Sequence, residues 1–268
     1  MDDDREQGSG GAPRDAMLTE ARRIVDAARD RHVVLRLLGG LAVREHCRAL
    51  HFCERDHADL DLVGRRRQVN DIDAVLRDLG YAEEPRVALA TTNRQLQFVR
   101  ACVHKSDAGA AHHLDRVDIF LDAFRMDHTI VLGERLTLED YTIAVTDLLL
   151  TKLQIVRHND KDVRDIITLL KDVPLAEEDL PGVVGTRSIA VRCARDWGLH
   201  HDVSVTLDLC RSLLERYELE EDERRRVAAG IDRLGAALRA APKSLAWRAR
   251  AKVGTRLRWH APVEDQDG

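Results

Sequence analysis

The amino-acid sequence predicts an α+β fold, in which a mixed β-sheet flanked by helices is followed by an all-helical C-terminal half. Strands are indicated by an apolar run at 33–38 and by alternating apolar and polar residues at 94–103 and 116–121. From Thr146 onward the apolar residues recur at helical spacing instead. This change of period along the chain predicts a sheet in the first half and helices in the second.

Each element of the first half follows from its pattern and from the residues at its ends. The apolar run is predicted to be a strand that ends in a turn at Gly39–Gly40. Asn70 is a suitable N-cap and Gly80 a suitable C-terminal stop for a later helix. The two alternating segments are predicted to pair as antiparallel strands across a loop at 104–113. The remaining elements are a helix at 16–30, a helix at 41–49, a polar loop at 50–57, a strand at 58–63 and a helix at 71–79.

The second half is predicted to consist of helices separated by short breaks. These helices lie at 147–157, 160–171, 186–196, 203–217, 221–240 and 244–258, with a linker at 181–185. The predicted domains are a disordered tail at 1–14, a sheet domain at 15–140, a helical domain at 141–260 and a disordered tail at 261–268.

Composition limits the class of protein. With 268 residues, of which 44% are hydrophobic, the chain is long enough to bury a core. A net charge of −5 excludes a uniformly basic nucleic-acid coat. No apolar run approaches the length of a membrane span, and the acidic, glycine-rich start at 1–11 lacks a signal-peptide core. We therefore expect no membrane association.

The cysteines predict a reducing compartment. None forms a C-x-x-C pair, and their odd number indicates free thiols and a cytoplasmic location. They are Cys47, Cys53, Cys102, Cys193 and Cys210.

Two aspartates separated by one residue mark the candidate site. If residues 58–63 form a strand, Asp59 and Asp61 point to the same face, where two like charges are costly unless a cation neutralises them. Asp118 interrupts the second alternating strand and is a candidate third carboxylate. Mg²⁺ prefers such oxygen ligands together with substrate phosphates, and the backbone N–H groups of Gly39–Gly40 can approach an anion closely. The pattern therefore predicts nucleotide chemistry.

The order of these residues resembles the polymerase-beta-like nucleotidyltransferase superfamily, in which a Gly-Gly pair, an Asp-x-Asp pair and a later lone Asp follow one another. In this chain they are Gly39, Gly40, Asp59, Asp61 and Asp118. A block at 147–166 is also similar to the helical motif of the abortive-infection type nucleotidyltransferases, which include type IV toxin–antitoxin toxins. Its matching residues are Lys152, Arg157, Lys161, Asp162, Asp165 and Ile166.

The resemblance implies a nucleotidyltransferase fold and a Mg²⁺-dependent enzyme. Such an enzyme would move an NMP from an NTP to a hydroxyl group of RNA, protein or a small molecule, in a toxin–antitoxin or phage-defence role. The resemblance implies that Asp59, Asp61 and Asp118 hold the metal and, with Lys152, form the catalytic set. The nucleotide-binding residues that it implies are Gly39, Gly40, Arg55, Lys152, Asp162 and Asp165.

Two departures from the family pattern keep a second function open. Leu41 and His57 stand where the family often has a hydroxyl-bearing residue. The second function is a nucleotidyltransferase-fold module that only binds nucleotide or a macromolecular partner.

Several candidate residues also have a purely structural interpretation. Asp118 could be a buried acid with an arginine partner, and Lys152 could be an ordinary surface lysine. Asp162 and Asp165 could form ion pairs on a helix surface. The alternative partners are Arg116 or Arg100 for Asp118, and Arg157 and Lys161 for Asp162 and Asp165.

A second cluster has the residue types of a zinc site. Its spacing matches no standard zinc pattern, and the alternative is a buried Cys47 with histidines in a polar loop. The cluster consists of His46, Cys47, His51, Cys53 and His57.

The segment 242–259 contains six basic residues and no acidic one, with Trp247 and Trp259 flanking most of the charge. Basic charge combined with aromatic rings suits phosphate contact and base stacking, so Lys243–Arg258 is predicted to contact RNA. The alternative is a C-terminal helix that packs its tryptophans against the rest of the protein.

Overall fold

The structure, a computed structural model, describes residues 12–53, 59–92, 94–100 and 116–261. It has the predicted α+β fold, with a mixed five-stranded sheet, flanking helices and a helical C-terminal half. Contacts divide the chain into two compact units. The first comprises Met1–Leu41 and Arg55–Leu121, and the second comprises Ala42–Glu54 and Asp122–Gly268.

The sheet of the first unit has the strand order β1-β2-β5-β4-β3. The β2 and β5 strands are parallel, and every other neighbouring pair is antiparallel. Two further pairs of short strands, β6 with β7 and β8 with β9, belong to the second unit. The strands are β1 (Leu35–Leu37), β2 (Leu60–Gly64), β3 (Tyr81–Glu83), β4 (Gln95–Arg100), β5 (Arg116–Leu121), β6 (Ala123–Arg125), β7 (Thr129–Val131), β8 (Leu175–Ala176) and β9 (Val184–Gly185).

The α-helices are α1 (Ala12–Asp30), α2 (Gly39–His46), α3 (Leu50–Cys53), α4 (Val69–Asp78), α5 (Pro85–Ala90), α6 (Val145–Leu153), α7 (Asp160–Asp172), α8 (Thr186–Arg195), α9 (Trp197–Leu213), α10 (Glu221–Ala240) and α11 (Leu245–Val253). Among the described residues, none of these helices combines the length and apolar character that crossing a bilayer requires.

One face of the five-stranded sheet is apolar and forms the core of the first unit. Leu60 and Leu62 on β2 and Ile119 on β5 are fully buried on this face. Helix α4 covers it, since a Cβ atom at Gly64 would lie 2.6 Å from the Cδ1 atom of Ile72. Because successive residues of a strand alternate between faces, the residues in between lie on the opposite face. Burial of alternate apolar residues thus fixes which polar side chains share that opposite face.

The second unit is a set of packed helices with two short strand pairs. Helix α10 packs on α7, α8 and α9, and α11 packs on α9. Asp147 at the start of α6 is fully buried and pairs with Arg135 and Arg192, at 2.8 and 2.7 Å. The cost of burying this carboxylate is offset by two guanidinium groups, which hold the loop before α6 and helix α8 together.

Several predicted boundaries are wrong for local reasons. Gly39–Gly40 does not form a separate turn, because helix α2 begins at Gly39. Helix α9 begins at Trp197, earlier than predicted, because the Asp196 carboxylate accepts hydrogen bonds from the backbone N–H groups at its start. The predicted polar loop contains the short helix Leu50–Cys53. The predicted loop at 104–113 lies outside the described residues.

The prediction that all cysteines are free thiols is also wrong. Cys47 and Cys53 form a disulfide within the second unit, whereas Cys193 and Cys210 are buried free thiols. Burial raises the pKa of each of these two thiols to about 12. Cys102 lies outside the described residues.

Candidate active site

The polar face of the sheet in the first unit carries the three candidate aspartates. Asp61 on β2 and Asp118 on β5 are register partners in the parallel ladder. Side chains of register partners point to the same face. Asp59 precedes β2, and its carboxylate lies beside that face because the Arg116 side chain contacts both Asp59 and Asp118. The sheet therefore places all three carboxylates on one face, at its two central parallel strands.

Asp118 is held from both sides along this face. Its side chain is only 5% exposed. The Gln97 amide donates to Oδ1 at 2.8 Å from β4, and the Arg116 guanidinium donates to Oδ2 at 3.1 Å. Because both oxygens accept hydrogen bonds, the orientation of this carboxylate is fixed before any ligand binds.

Arg116 bridges two of the candidate carboxylates. Its Nη2 atom lies 3.0 Å from the Oδ2 atom of Asp118, and its Nε atom lies 3.3 Å from the Oδ1 atom of Asp59. The Arg116 side chain is 44% exposed, in contrast to the buried Asp118. The structural alternative for Asp118, a buried acid with Arg116 as its partner, is thus present in the fold.

Gly39 makes the closest approach to a candidate carboxylate. It has a φ of +73°, and a Cβ atom at this position would lie 2.3 Å from the Oδ2 atom of Asp61. The backbone N–H of Leu38 also donates to the Asp61 carbonyl oxygen at 2.8 Å. A side chain at residue 39 is therefore excluded both by conformation and by contact. The N-terminus of α2, whose first backbone N–H groups have no partner within the helix itself, begins beside the Asp61 carboxylate.

The donor chemistry of this face fits Mg²⁺, because three carboxylates on adjoining positions supply the hard oxygen ligands that the ion prefers. The side chains as they stand do not form a closed metal cage. In the described ranges, no three acidic, histidine or cysteine side chains are arranged to hold a metal ion. Arg116 instead bridges Asp59 and Asp118.

Lys152 lies in the second unit, where it pairs with the two acids of α7. Its Nζ atom is 2.8 Å from the Oδ2 atom of Asp165 and 3.5 Å from the Oδ1 atom of Asp162. The lysine side chain is 13% exposed, so it is not an ordinary surface lysine. Asp162 also closes a capping box with Asn159 at the start of α7. The roles of these residues in nucleotide binding stay predictions.

The zinc interpretation of the second cluster does not hold, because the disulfide takes both cysteine sulfurs away from metal binding. His46 accepts or donates a hydrogen bond with Thr142 at 3.1 Å, and burial lowers the pKa of its imidazole. Two residues of the sequence prediction, Arg55 and His57, lie outside the described residues.

Gln97 was not among the sequence-predicted site residues, and Arg116 entered only as an alternative partner. The signal for Gln97 was the alternation of β4, which places Gln95 and Gln97 on the face opposite Leu96 and Phe98. Gln97 is the register partner of Asp118. A search for polar residues in register with a buried acid would have identified Gln97 as a site residue.

No protein-family model matches the chain, and neither does any curated protein. Among solved structures, the chain is similar to the solution structure of the antibiotic-resistance factor ANT(2'')-Ia, at 14% identity over 57% of this chain and 81% of that one, with a TM-score of 0.34. A crystal structure of ANT(2'')-Ia in complex with adenylyl-2''-tobramycin is similar at 15% identity over 56% and 86%, with a TM-score of 0.33. An antigenic nucleotidyltransferase-like protein from Paracoccidioides brasiliensis is similar at 12% identity over 89% and 97%, with a TM-score of 0.44. Because all three scores are below 0.5, the functional proposal takes no support from these structures.

Proposed function

We propose that the first unit is a Mg²⁺-dependent nucleotidyltransferase that moves an NMP from an NTP to a hydroxyl acceptor. One observation carries the proposal: Asp61 and Asp118 are register partners on one face of the sheet, and the start of helix α2 lies against the Asp61 carboxylate. This arrangement combines oxygen ligands for a cation with backbone N–H groups for an anion. A nucleoside triphosphate with its magnesium ion has the matching charges.

In the proposed reaction, the acceptor oxygen forms a bond to the α-phosphorus as the bond to pyrophosphate breaks. Asp59, Asp61 and Asp118 would hold Mg²⁺, which when bound supplies charge neutralisation at the phosphates and a more acidic acceptor hydroxyl. The backbone N–H groups at Gly39 and Gly40 would bind the phosphates. Asp118 would receive the hydroxyl proton, and Gln97 would hold the orientation of its Oδ1 atom.

Arg116 would have two successive partners in this scheme. Its guanidinium balances the charge of Asp59 and Asp118 before the substrate binds, which lowers their mutual repulsion. Arginine also pairs well with phosphate oxygens, and its side chain is the most exposed of this group. We infer that the Arg116 guanidinium would turn towards the triphosphate once the acids hold a cation.

The acceptor would be RNA, a protein or a small molecule, and the proposed setting is a cytoplasmic toxin–antitoxin or phage-defence system. This setting follows from the resemblance of the sequence to the abortive-infection type enzymes. A growth defect on expression of the wild-type protein, relieved by Asp61→Asn, is the expected outcome.

A second function is favoured by the pairing of Arg116. If Asp59 and Asp118 keep their guanidinium partner, the site holds no metal and the unit is a binding module without catalysis. The two functions differ in their dependence on Mg²⁺. The module predicts no turnover with any NTP and partner binding that is indifferent to Mg²⁺.

The test is a label-transfer assay with each α-labelled NTP, Mg²⁺, and total cell RNA or lysate. Asp61→Asn should reduce the transfer rate at least ~10²-fold, on the scale of losing one electrostatic group at a transition state. The matched control is Asp78→Asn, which removes a charge at an exposed ion pair with Arg31 in the same unit. Transfer by Asp61→Asn at the rate of the control would refute the mechanism. No transfer by the wild type with any NTP would favour the binding module.

A further inference from the structure

The C-terminal segment of the second unit is strongly basic in a chain that is acidic as a whole. Residues 243–258 contain six lysines and arginines and no acid, while the complete chain has a net charge of −5. Acidic residues return only at Glu264, beyond the described residues. The segment comprises helix α11 and the short 3₁₀ helix Gly254–Arg256 that follows it.

Two of the six cations have structural roles. Lys243 donates to the carbonyl oxygens of Leu238 and, at 3.1 Å, of Arg239, which terminates helix α10. The Arg250 guanidinium donates to the carbonyl oxygens of Gly254 at 2.6 Å and Leu257 at 2.8 Å. These contacts satisfy backbone groups at the ends of helices, so neither side chain is available to a ligand.

Of the other four cations, Arg258 donates to the His260 carbonyl oxygen at 3.2 Å, and the remaining three make no side-chain hydrogen bond among the described residues. Arg248, Lys252, Arg256 and Arg258 are all exposed. Within the described part of the chain, none of the four forms an ion pair with an acidic side chain. Arg248 and Lys252 are four residues apart on one helix face, where like charges destabilise a helix. Stability of the fold therefore gives no reason for this cationic face.

The tryptophans of the segment are held by hydrogen bonds within the unit, which agrees with the alternative of a C-terminal helix that packs its tryptophans. The Trp247 indole N–H donates to the Cys193 carbonyl oxygen at 3.1 Å. The Trp259 indole N–H donates to the Asp202 carboxylate at 3.0 Å. Both rings are half-buried and their N–H groups are bonded within the unit, so the charged side chains are the exposed groups of the segment that can pair with phosphate.

The same orientation argues against a membrane as the partner. A helix that lies on a bilayer inserts a continuous apolar face, whereas Trp247, the largest apolar side chain of α11, contacts the His200 ring of α9. Leu245 and Leu257 are exposed, but three of the four cations lie between them in sequence, so they form no continuous apolar stretch. Three of the four exposed cations are arginines, and the planar guanidinium group of arginine can bind a phosphate with two hydrogen bonds.

We infer that Arg248, Lys252, Arg256 and Arg258 form a binding surface for the phosphate backbone of a duplex nucleic acid. The surface recognises charge and phosphate spacing, because the tryptophans beside it are held by hydrogen bonds within the unit and are not free to stack on bases. This inference does not rest on the proposed catalytic function, since it concerns other residues and requires neither NTP nor Mg²⁺.

The test is fluorescence anisotropy of the full chain with labelled 20-base-pair RNA and DNA duplexes in 50 to 200 mM KCl. Four phosphate contacts predict a slope of about −3.6 for log K against log salt, which is about 10²-fold weaker binding over this range. The variant replaces all four cations with glutamine. It should bind at least 10-fold more weakly at 50 mM KCl, with a slope near zero. Whether the RNA or the DNA duplex binds more tightly identifies the natural source of the phosphates.

The matched control removes the same charge from exposed arginines that already have acidic partners: Arg77, Arg187, Arg211 and Arg225. The control should keep the affinity and slope of the wild type. Circular dichroism of both variants should be unchanged, because every substituted side chain is at the surface. The inference is overturned if the two variants bind duplex equally well, if the wild type binds neither duplex at 50 mM KCl, or if it binds only phosphatidylserine vesicles.

Discussion

Replacing Gly39 with alanine should separate the geometry of the site from the stability of the fold. The substitution places a Cβ atom 2.3 Å from the Oδ2 atom of Asp61, well inside the ~3.5 Å at which non-bonded atoms pack best. It also forces a non-glycine residue into a φ of +73°, at a cost of about 1–2 kcal/mol. To relieve the contact, the Asp61 carboxylate must move by roughly 1 Å, and a displacement of that size can cost ~10²-fold in rate.

Gly80 provides a matched control in the same unit. Its φ is +89°, so Gly80→Ala carries a similar backbone cost, but a Cβ atom there would have nothing within 4 Å. Thermal melts should show a Tm lowered by roughly 2–8 °C for Gly80→Ala, and more for Gly39→Ala. Only Gly39→Ala should lose label transfer, by about 10²-fold.

A double variant checks that the extra cost comes from Asp61. In an Asp61→Ala background the contact with Oδ2 is gone, and only a 3.3 Å approach to the Asp61 Cβ atom remains. Gly39→Ala should then lower Tm no more than Gly80→Ala does. If Gly39→Ala transfers label at the wild-type rate, or if its extra loss of Tm persists without the carboxylate, the contact between Gly39 and Asp61 does not define the site.

Two further predictions concern the second unit. Lys152→Met removes the ammonium group beside the buried Asp165 carboxylate and should lower the free energy of unfolding by about 3 kcal/mol, at the low end for buried pairs. Lys161→Met, at an exposed position, should lower it little. Equal urea midpoints for the two variants would contradict the structure. Because burial raises the pKa of Cys193 and Cys210 to about 12, a maleimide at pH 7 should leave both unlabelled in the native protein. In a Cys102→Ser background, reduction should add two labels by mass spectrometry, from the disulfide, and an unchanged mass would show that the disulfide does not form.

The fold could be predicted where local chemistry decides it. Gly80 was expected to end a helix, and its positive φ after α4 confirms this, because glycine alone adopts that conformation at no cost. Asn70 was expected to cap the same helix and does not. Gln68 precedes the helix instead, and its side chain bonds to the backbone of His32 and Val34. Such bonds to a distant segment leave no local pattern in the sequence.

The candidate site likewise has features that the local sequence predicts and features that depend on distant segments. Alternation along the strands was enough to expect Asp59 and Asp61 on one face, since it depends only on neighbouring residues. The pairing of Asp61 with Asp118 depends on the register between two strands that are distant in sequence. The cost of a charge within an apolar strand singled out Asp118, and the family resemblance then placed it with Asp59 and Asp61. The bridge made by Arg116 required that register as well, so the sequence could only offer it as one of two alternatives.

The parallel pairing of β2 with β5 also has a consequence for the order of folding. Strands β4 and β5 are antiparallel neighbours in sequence, so their pairing closes a shorter loop and brings Gln97 to Asp118 early. Asp61 arrives only when β2 docks on the other side of β5, a contact between segments far apart in the chain. That late step must bring the Asp61 and Asp118 carboxylates together against their mutual repulsion. Arg116, which is already on β5 beside Asp118, supplies a positive charge that reduces this repulsion. The residue that balances the finished site would then also lower the barrier to its assembly.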